Sequence, residues 1–296
     1  MKVFAVILLT CFSLFFLMYF FYTKRTNKIY PAKGTLAGKF IRLDMDSTEA
    51  KNLLESSENF TSSEIPDIEL QKKMVKEYSV DYTSVYLLKT IYNDTEKLKH
   101  QKKYLDLSDR LIERPALTDN ETSRLKKFKL IFVPGLAYKI DTTTGADFAR
   151  QRIWFEKRGI RTDIIETDEL GLTLKNAEII NQYIQSYSEN KKIILISASK
   201  GGLDLIYYLE KLAQKNELQK IHAWVNVGGI LKGTLIAEEH CKFPLSVVPA
   251  ALLALKGKTL EIVGDIRRSS KEKIFQELKF TDSIKVVHLI GVPFQF

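Results

Sequence analysis

From Leu130 onward, short apolar runs alternate with longer stretches in which apolar residues return every three or four positions. The short runs are Leu130-Ile131-Phe132-Val133, ended by Pro134-Gly135, then residues 159–165, 192–196, 221–227, 260–263 and 284–287. Their length and their content of Ile and Val predict six strands. Between them, Phe148, Ile153, Trp154 and Phe155 mark one helix. Leu174, Ala177, Ile180, Tyr183, Ile184 and Tyr187 mark a second, and Leu203, Ile206, Tyr207 and Leu209 a third. Strands alternating with helices predict an α/β fold, with a mostly parallel sheet, right-handed crossovers and helices on both faces.

Upstream, the pattern is different. Residues 47–127 read as mostly helical. Ser47-Thr48-Glu49-Ala50 has the composition of a helix start, and Ile68, Leu70, Met74 and Val75, then Val85, Leu87, Leu88, Ile91 and Tyr92, suggest two further helices. Residues 23–40, with Pro31, Gly34 and Gly38, read as a basic linker. Val3 to Tyr22 is twenty residues without a charge. As a helix it spans about 30 Å, the thickness of a bilayer's hydrocarbon core. A cleaved signal peptide has a shorter apolar region, roughly 7–15 residues, followed by small residues. Here Tyr19-Phe20-Phe21-Tyr22 runs directly into Thr23-Lys24-Arg25. The expected organisation is therefore a transmembrane anchor over 1–22, a linker and helical region over 23–127, and an α/β domain over 128–296. A single-pass membrane location follows, with the side of the soluble part left open.

Composition changes this picture little. Of 296 residues, 45% are apolar types and 27% charged, which suits a chain that buries a core and excludes wholesale disorder. The net charge is +9, with Lys2, Lys24, Arg25 and Lys28 flanking the apolar run. No dense basic block stands out, so nucleic acid is not an expected partner. The two cysteines, Cys11 and Cys241, form neither a disulfide framework nor a zinc spacing, and neither a metal nor an organic cofactor is implied.

The candidate chemistry lies after the third strand. There Ser197-Ala198-Ser199-Lys200-Gly201-Gly202 leads into a helix. In open parallel sheets, sites form beyond the carboxyl ends of the strands. A sharp strand–turn–helix with small residues around a serine holds that serine strained, with its hydroxyl exposed, beside the free N–H groups of the helix start. Two other readings of this turn are a serine that caps the next helix and a loop that binds phosphate. The second lacks both G-x-x-x-x-G-K-[ST] and G-x-G-x-x-G.

Residues 128–296 resemble the α/β-hydrolase superfamily, and within it the lipase- and esterase-like members. The turn matches G-x-S-x-G with Ser197 in place of the first glycine, and Phe132-Val133-Pro134-Gly135-Leu136 resembles the strand and oxyanion loop that open such domains. Val225-Asn226-Val227-Gly228-Gly229, followed by Lys232-Gly233-Thr234, resembles the segment after the next strand. The resemblance implies that Ser199 is the nucleophile and that the backbone N–H groups of Leu136 and Lys200 hold the oxyanion. The side chain of Lys200 is read as a solvated charge. In the family's order of serine, acid, histidine, the acid falls on Asp265 and the base on His288. The implied activity is serine hydrolysis of acyl esters, with a lipid-like or acyl-ester substrate.

Two features leave alternatives open. The loop after the last run, 291–296, holds no histidine, and His288 lies within the run itself; His100, His222 and His240 fit the order no better. If 284–291 is instead the fifth strand of the catalytic half, the acid and histidine fall beyond Phe296. The chain is then cut short, or is a catalytically inactive, membrane-tethered binding module. A third reading makes the region over 40–127 an interaction surface. The apolar insertion over 230–258, with Leu245, Val247, Val248, Leu252, Leu253 and Leu255, is either a lid over an acyl chain or an ordinary packed helix.

Overall fold

The computed structural model describes residues 28–36, 39–56, 62, 64–93, 95–271 and 284–292. The apolar run Val3–Tyr22 lies outside them. Among the described residues no helix is long and apolar enough to cross a membrane. The chain divides at Pro115–Ala116 into two compact units.

The first unit begins where the sequence suggests a linker, yet β1 (Tyr30–Leu36) and β2 (Lys39–Met45) pair antiparallel as a hairpin. Alternation explains it: Ala32, Leu36 and Met45 turn inward with Ile41 and Leu43 onto Ala50, Leu54 and Val85. Helices follow at Thr48–Glu55 (α1), Ile68–Glu77 (α2), Val80–Asn93 (α3) and Thr95–Glu113 (α4). Ser47 caps α1 as its sequence suggests, its Oγ accepting from Ala50 N at 3.1 Å. Gly34 lets α1 approach the hairpin, since a Cβ there would sit 2.3 Å from the Leu54 carbonyl oxygen.

The second unit opens with α5 (Asp119–Leu125), capped by the Thr118/Glu121 box. Then come β3 (Phe128–Val133), α6 (Ala149–Glu156), β4 (Thr162–Ile164), α7 (Thr173–Ser186), β5 (Lys192–Ala198), α8 (Lys200–Tyr207), α9 (Lys215–Leu218) and β6 (Ile221–Val227). They are followed by α10 (Leu235–His240), α11 (Val247–Ala254), α12 (Glu261–Asp265) and β7 (Lys285–Leu289). The five strands of this unit form one sheet in the order β4-β3-β5-β6-β7, every neighbouring pair parallel. Side chains alternate between its faces. Ile131, Val133, Ile193, Leu195 and Trp224 pack with Ala177, Ile180 and Ile184 of α7 and Leu205 and Ile206 of α8. Leu130, Phe132, Ile194 and Ile196 pack with Phe148, Phe155 and Leu125. Both faces are thus covered, as the unbroken apolar runs require.

One expected strand is a helix. Leu260 is the N-cap of α12 and residues 261–263 its first three positions, with Ile262 buried and Val263 packed near Leu203, Ala237 and Ile266. A four-residue apolar run fits a strand or one helical turn equally well, and the place beside β6 belongs to β7.

Candidate active site

β5 ends at Ala198 and α8 starts at Lys200, so Ser199 alone makes the turn. Its backbone has φ 49° and ψ −121°. That is the region of the first central position of a type II′ turn, where glycine is favoured and a serine is strained. Surrounding contacts hold it there. Ser199 N donates to Val227 O at 3.2 Å, and Ser199 O accepts from Gly202 N at 3.1 Å and Ile230 N at 3.2 Å. The Oγ makes no capping bond to α8, which sets aside the reading of Ser199 as a simple helix cap. Such strain stores about 1–3 kcal/mol. Ser199→Gly should therefore raise the urea midpoint, by about 1 kcal/mol of added stability, less the entropy glycine adds to the unfolded chain.

Small residues allow the turn to close. A Cβ on Gly201 would lie 2.4 Å from Pro134 O and 2.5 Å from Val133 O, so the first turn of α8 rests on the end of β3. A Cβ on Gly135 would lie 3.3 Å from the Ser199 Cβ, which sets the loop after β3 directly against the serine. The next residue but one, Ala137, also has positive φ, 56°, and its N–H donates to Glu169 O at 3.0 Å. No backbone acceptor among the described residues takes the N–H of Leu136 or of Lys200. A cleft of about 500 Å³, lined by residues 229–236 and Arg268, opens from the segment that donates to Ser199 O.

The place of the missing glycine has a physical account. Ser197 is fully buried; its Oγ donates to Asn226 Oδ1 at 2.9 Å and accepts from Trp224 Nε1 at 2.8 Å. Asn226 Nδ2 in turn donates to His288 Nδ1 at 3.2 Å, and the His288 ring meets Trp224 edge-on at 5.7 Å. Parallel register puts Val133, Ser197, Asn226 and His288 in one row on one face of the sheet. The Oδ1 of Asn226 also lies where Cβ atoms on Gly202 and Gly229 would fall, at 2.3 and 2.2 Å. Asn226 thus packs closely against Gly202 in the first turn of α8 and against Gly229 after β6. The sequence signal for it was a lone amide in the apolar run Val225-Asn226-Val227.

The register also decides what His288 can reach. It lies level with Ser197, two residues before Ser199, and its Nδ1 is engaged by Asn226. Burial lowers its pKa. No hydrogen bond joins it to Ser199 or to Asp265 among the described residues. His222 stacks on Phe128 at the other end of the sheet, centroids 4.7 Å apart, and His240 bonds the Ile236 carbonyl within α10.

Asp265 is committed elsewhere. It ends α12 rather than following a strand, and accepts from Thr173 N at 2.7 Å, Thr173 Oγ1 at 2.6 Å and Lys271 Nζ at 2.6 Å. Burial opposes its ionisation, but the bonds from Lys271 and Thr173 outweigh that and hold its pKa below the ordinary value. A depressed carboxylate stabilises the fold above its unfolded pKa and loses that contribution as pH falls. Asp265→Asn should therefore cost about 2–4 kcal/mol at pH 7, and the gap to the parent should narrow in urea melts near pH 3.

The side chain of Lys200 is a correction to the sequence reading. Far from solvated, Lys200 is 2% exposed, and its ammonium donates to both oxygens of Asp204, at 2.7 and 2.9 Å. Asn176 Nδ2 donates to Asp204 Oδ2 at 2.9 Å and to the Asp168 carbonyl at 3.1 Å, and Lys258 pairs with Asp168 at 2.8 Å. The spacing Lys200/Asp204, four apart on a helix, was visible in the sequence; its burial was not. No group of three or more potential metal-ligating side chains comes together among the described residues.

No protein-family model matches the sequence, and neither does any curated protein. Solved structures give partial likenesses. A metagenomic carboxyl esterase aligns with TM-score 0.46 at 21% identity, over 56% of this chain and 50% of the esterase. The mature form of a Bacillus licheniformis lipase aligns with TM-score 0.43 at 18% identity, over 55% of this chain and 65% of the lipase. A phospholipase from Legionella pneumophila aligns with TM-score 0.39 at 14% identity, over 54% of this chain and 39% of that one. The aligned part is thus less than two thirds of each of these proteins.

Proposed function

We propose that the second unit is an α/β-hydrolase-type domain that cleaves acyl esters of lipid-like substrates, with Ser199 as nucleophile, and that the chain is held at a membrane by Val3–Tyr22. The observation that carries the chemistry is the Ser199 backbone: a non-glycine residue at φ 49° between a central parallel strand and a helix, its hydroxyl unused by the cap. In this reading Ser199 Oγ attacks the ester carbonyl and loses its proton to a base. The carbonyl oxygen becomes an oxyanion held by the Leu136 and Lys200 N–H groups; as it collapses the base returns the proton to the leaving oxygen, the alcohol departs, and an acyl-serine remains for water to hydrolyse.

A second reading, a binding module without turnover, is favoured by the engagement of His288 with Asn226 and of Asp265 with Thr173 and Lys271. A fluorophosphonate probe separates the two. Labelling of the full chain that disappears in Ser199→Ala supports the hydrolase, whereas a parent chain that stays unlabelled at all pH values supports the binding module. If turnover of a short-chain ester is measurable, His288→Ala should change it by less than about tenfold. A drop of about 10² or more, the scale of lost general-base help, would assign the base to His288.

A further inference from the structure

The outer face of the β1–β2 hairpin sets two cations side by side. Pairing places Pro31 opposite Asp44, Lys33 opposite Arg42 and Thr35 opposite Phe40, and all six residues are exposed. The N–H of Lys33 points away from β2 and donates to Glu55 Oε1 at 3.2 Å. Lys33 and Arg42 are therefore a non-hydrogen-bonded pair, in which facing Cα atoms approach to about 4.5 Å and side chains lie closest. Like charges so placed repel and destabilise the hairpin. Among the described residues neither forms an ion pair with Asp44, the diagonal neighbour of Lys33, with Glu55, or with any other acid. Beside them Phe40 is 63% exposed, with the Arg42 guanidinium 5.6 Å from its ring centre.

We infer, on the reading that Val3–Tyr22 holds the chain at a membrane, that this face of the hairpin docks onto an anionic lipid surface through Lys33, Arg42 and Phe40. Position and charge select this occupant. The step from Tyr22 to Tyr30 is eight residues, which span at most about 28 Å when extended, so the hairpin stands within reach of the headgroups. Residues 23–43 contain Lys24, Arg25, Lys28, Lys33, Lys39 and Arg42 and no aspartate or glutamate; Lys39 is paired with Asp109. A basic segment just outside a membrane span is drawn to anionic headgroups. A lipid phosphate or carboxylate between Lys33 and Arg42 would turn their repulsion into two attractions. Phe40 would then enter the interfacial layer that aromatic side chains favour, beneath the guanidinium that already covers its ring. A second copy of the chain is disfavoured, because a self-complementary interface would set this pair of cations against its own counterpart. Nothing in this surface depends on whether Ser199 is nucleophilic.

The test uses the full chain with Cys11 and Cys241 replaced by serine and one environment-sensitive fluorophore on Thr35→Cys, beside Phe40 on the outer face. Lys73→Cys, an exposed position on α2, is the reference. In nanodiscs containing phosphatidylserine, the Thr35→Cys probe should shift to the blue and be quenched by headgroup spin-labelled lipid about twofold or more beyond its quenching in phosphatidylcholine discs, with Lys73→Cys the same in both. Salt at about 0.5 M, where the Debye length is about 4 Å, should erase the difference, and so should Lys33→Gln combined with Arg42→Gln. Lys33→Glu alone sets opposite charges across the rung. It should raise the urea midpoint of the detergent-solubilised chain while abolishing the phosphatidylserine response, which separates lost binding from lost fold. A Thr35→Cys probe as water-exposed as Lys73→Cys in both discs would overturn the docking surface and leave the membrane segment standing. A chain that stays out of discs, yet floats with phosphatidylserine vesicles and is released by salt, would remove the membrane segment and keep the docking surface. Equal quenching in the two kinds of disc would contradict selection by charge. A probe shielded from water but untouched by lipid quencher, with unlabelled Thr35→Cys cross-linking between copies, would assign the face to a second copy instead.

Discussion

Lys200→Met should lower the stability of the second unit by about 3–5 kcal/mol at pH 8, the range for removing one partner of a buried ion pair. Both Lys200 and Asp204 are essentially inaccessible, at 2% and 1% exposure, so water cannot replace the lost ammonium. Even with Lys200 present, burial pushes Asp204 up to about 6, against the opposing pull of Lys200 and Asn176. A carboxyl raised above its unfolded value of 3.8 contributes stability that is present below that value and lost as pH rises through about 6. Without Lys200 this window extends upward, because Asp204 must carry its proton to stay buried. The deficit of Lys200→Met should accordingly be smaller at pH 5 than at pH 8. Lys200→Met combined with Asp204→Leu should recover most of the loss, short of the one Asn176 N–H left without its acceptor. Urea melts of the three proteins at the two pH values check this, and equal losses at both would contradict the burial argument.

Gly201→Ala should cost about 3 kcal/mol or more, through overpacking against groups that cannot rotate away. The added methyl group would meet two backbone carbonyls at the end of β3, at 2.4 and 2.5 Å. Either α8 lifts from the sheet or β3 is pushed aside, and both movements separate Ser199 from the Gly135 loop. Labelling by fluorophosphonate, if the parent shows it, should fall together with the urea midpoint. Gly257→Ala is the comparison. That glycine has φ 65° and nothing within 4 Å of an added Cβ, so only the left-handed backbone penalty of about 1–2 kcal/mol applies. Equal effects at the two glycines would show that backbone conformation, and not the close approach of α8 to β3, governs the turn.

Much of the second unit was legible because its information is local. The runs at 130–133, 192–196 and 221–227 became β3, β5 and β6 within two residues at either end. Ser199, set among Ala198, Gly201 and Gly202, marked the turn before any tertiary contact was known. Local pattern failed where two structures share one pattern. Tyr30 to Met45 alternates as a strand pair does, but Pro31, Gly34 and Gly38 masked it as a linker. Leu260–Val263 fits one helical turn as well as a strand.

What the sequence alone determined is where the central strands of the second unit can form, that they lie parallel between helices, and that a serine occupies the turn after β5. Each of these follows from side-chain periodicity and backbone sterics within about ten residues. Only the tertiary structure decided which segment lies beside β6, and with it the level at which His288 stands. Strand partners are chosen by long-range pairing: Asn226 meets His288 across 62 positions of chain. Only the tertiary structure, too, decided that Lys200 is buried while Leu252 and Leu255 are exposed. Charge and hydropathy set the free energy of meeting water, but whether a side chain meets it depends on what the rest of the chain packs over it.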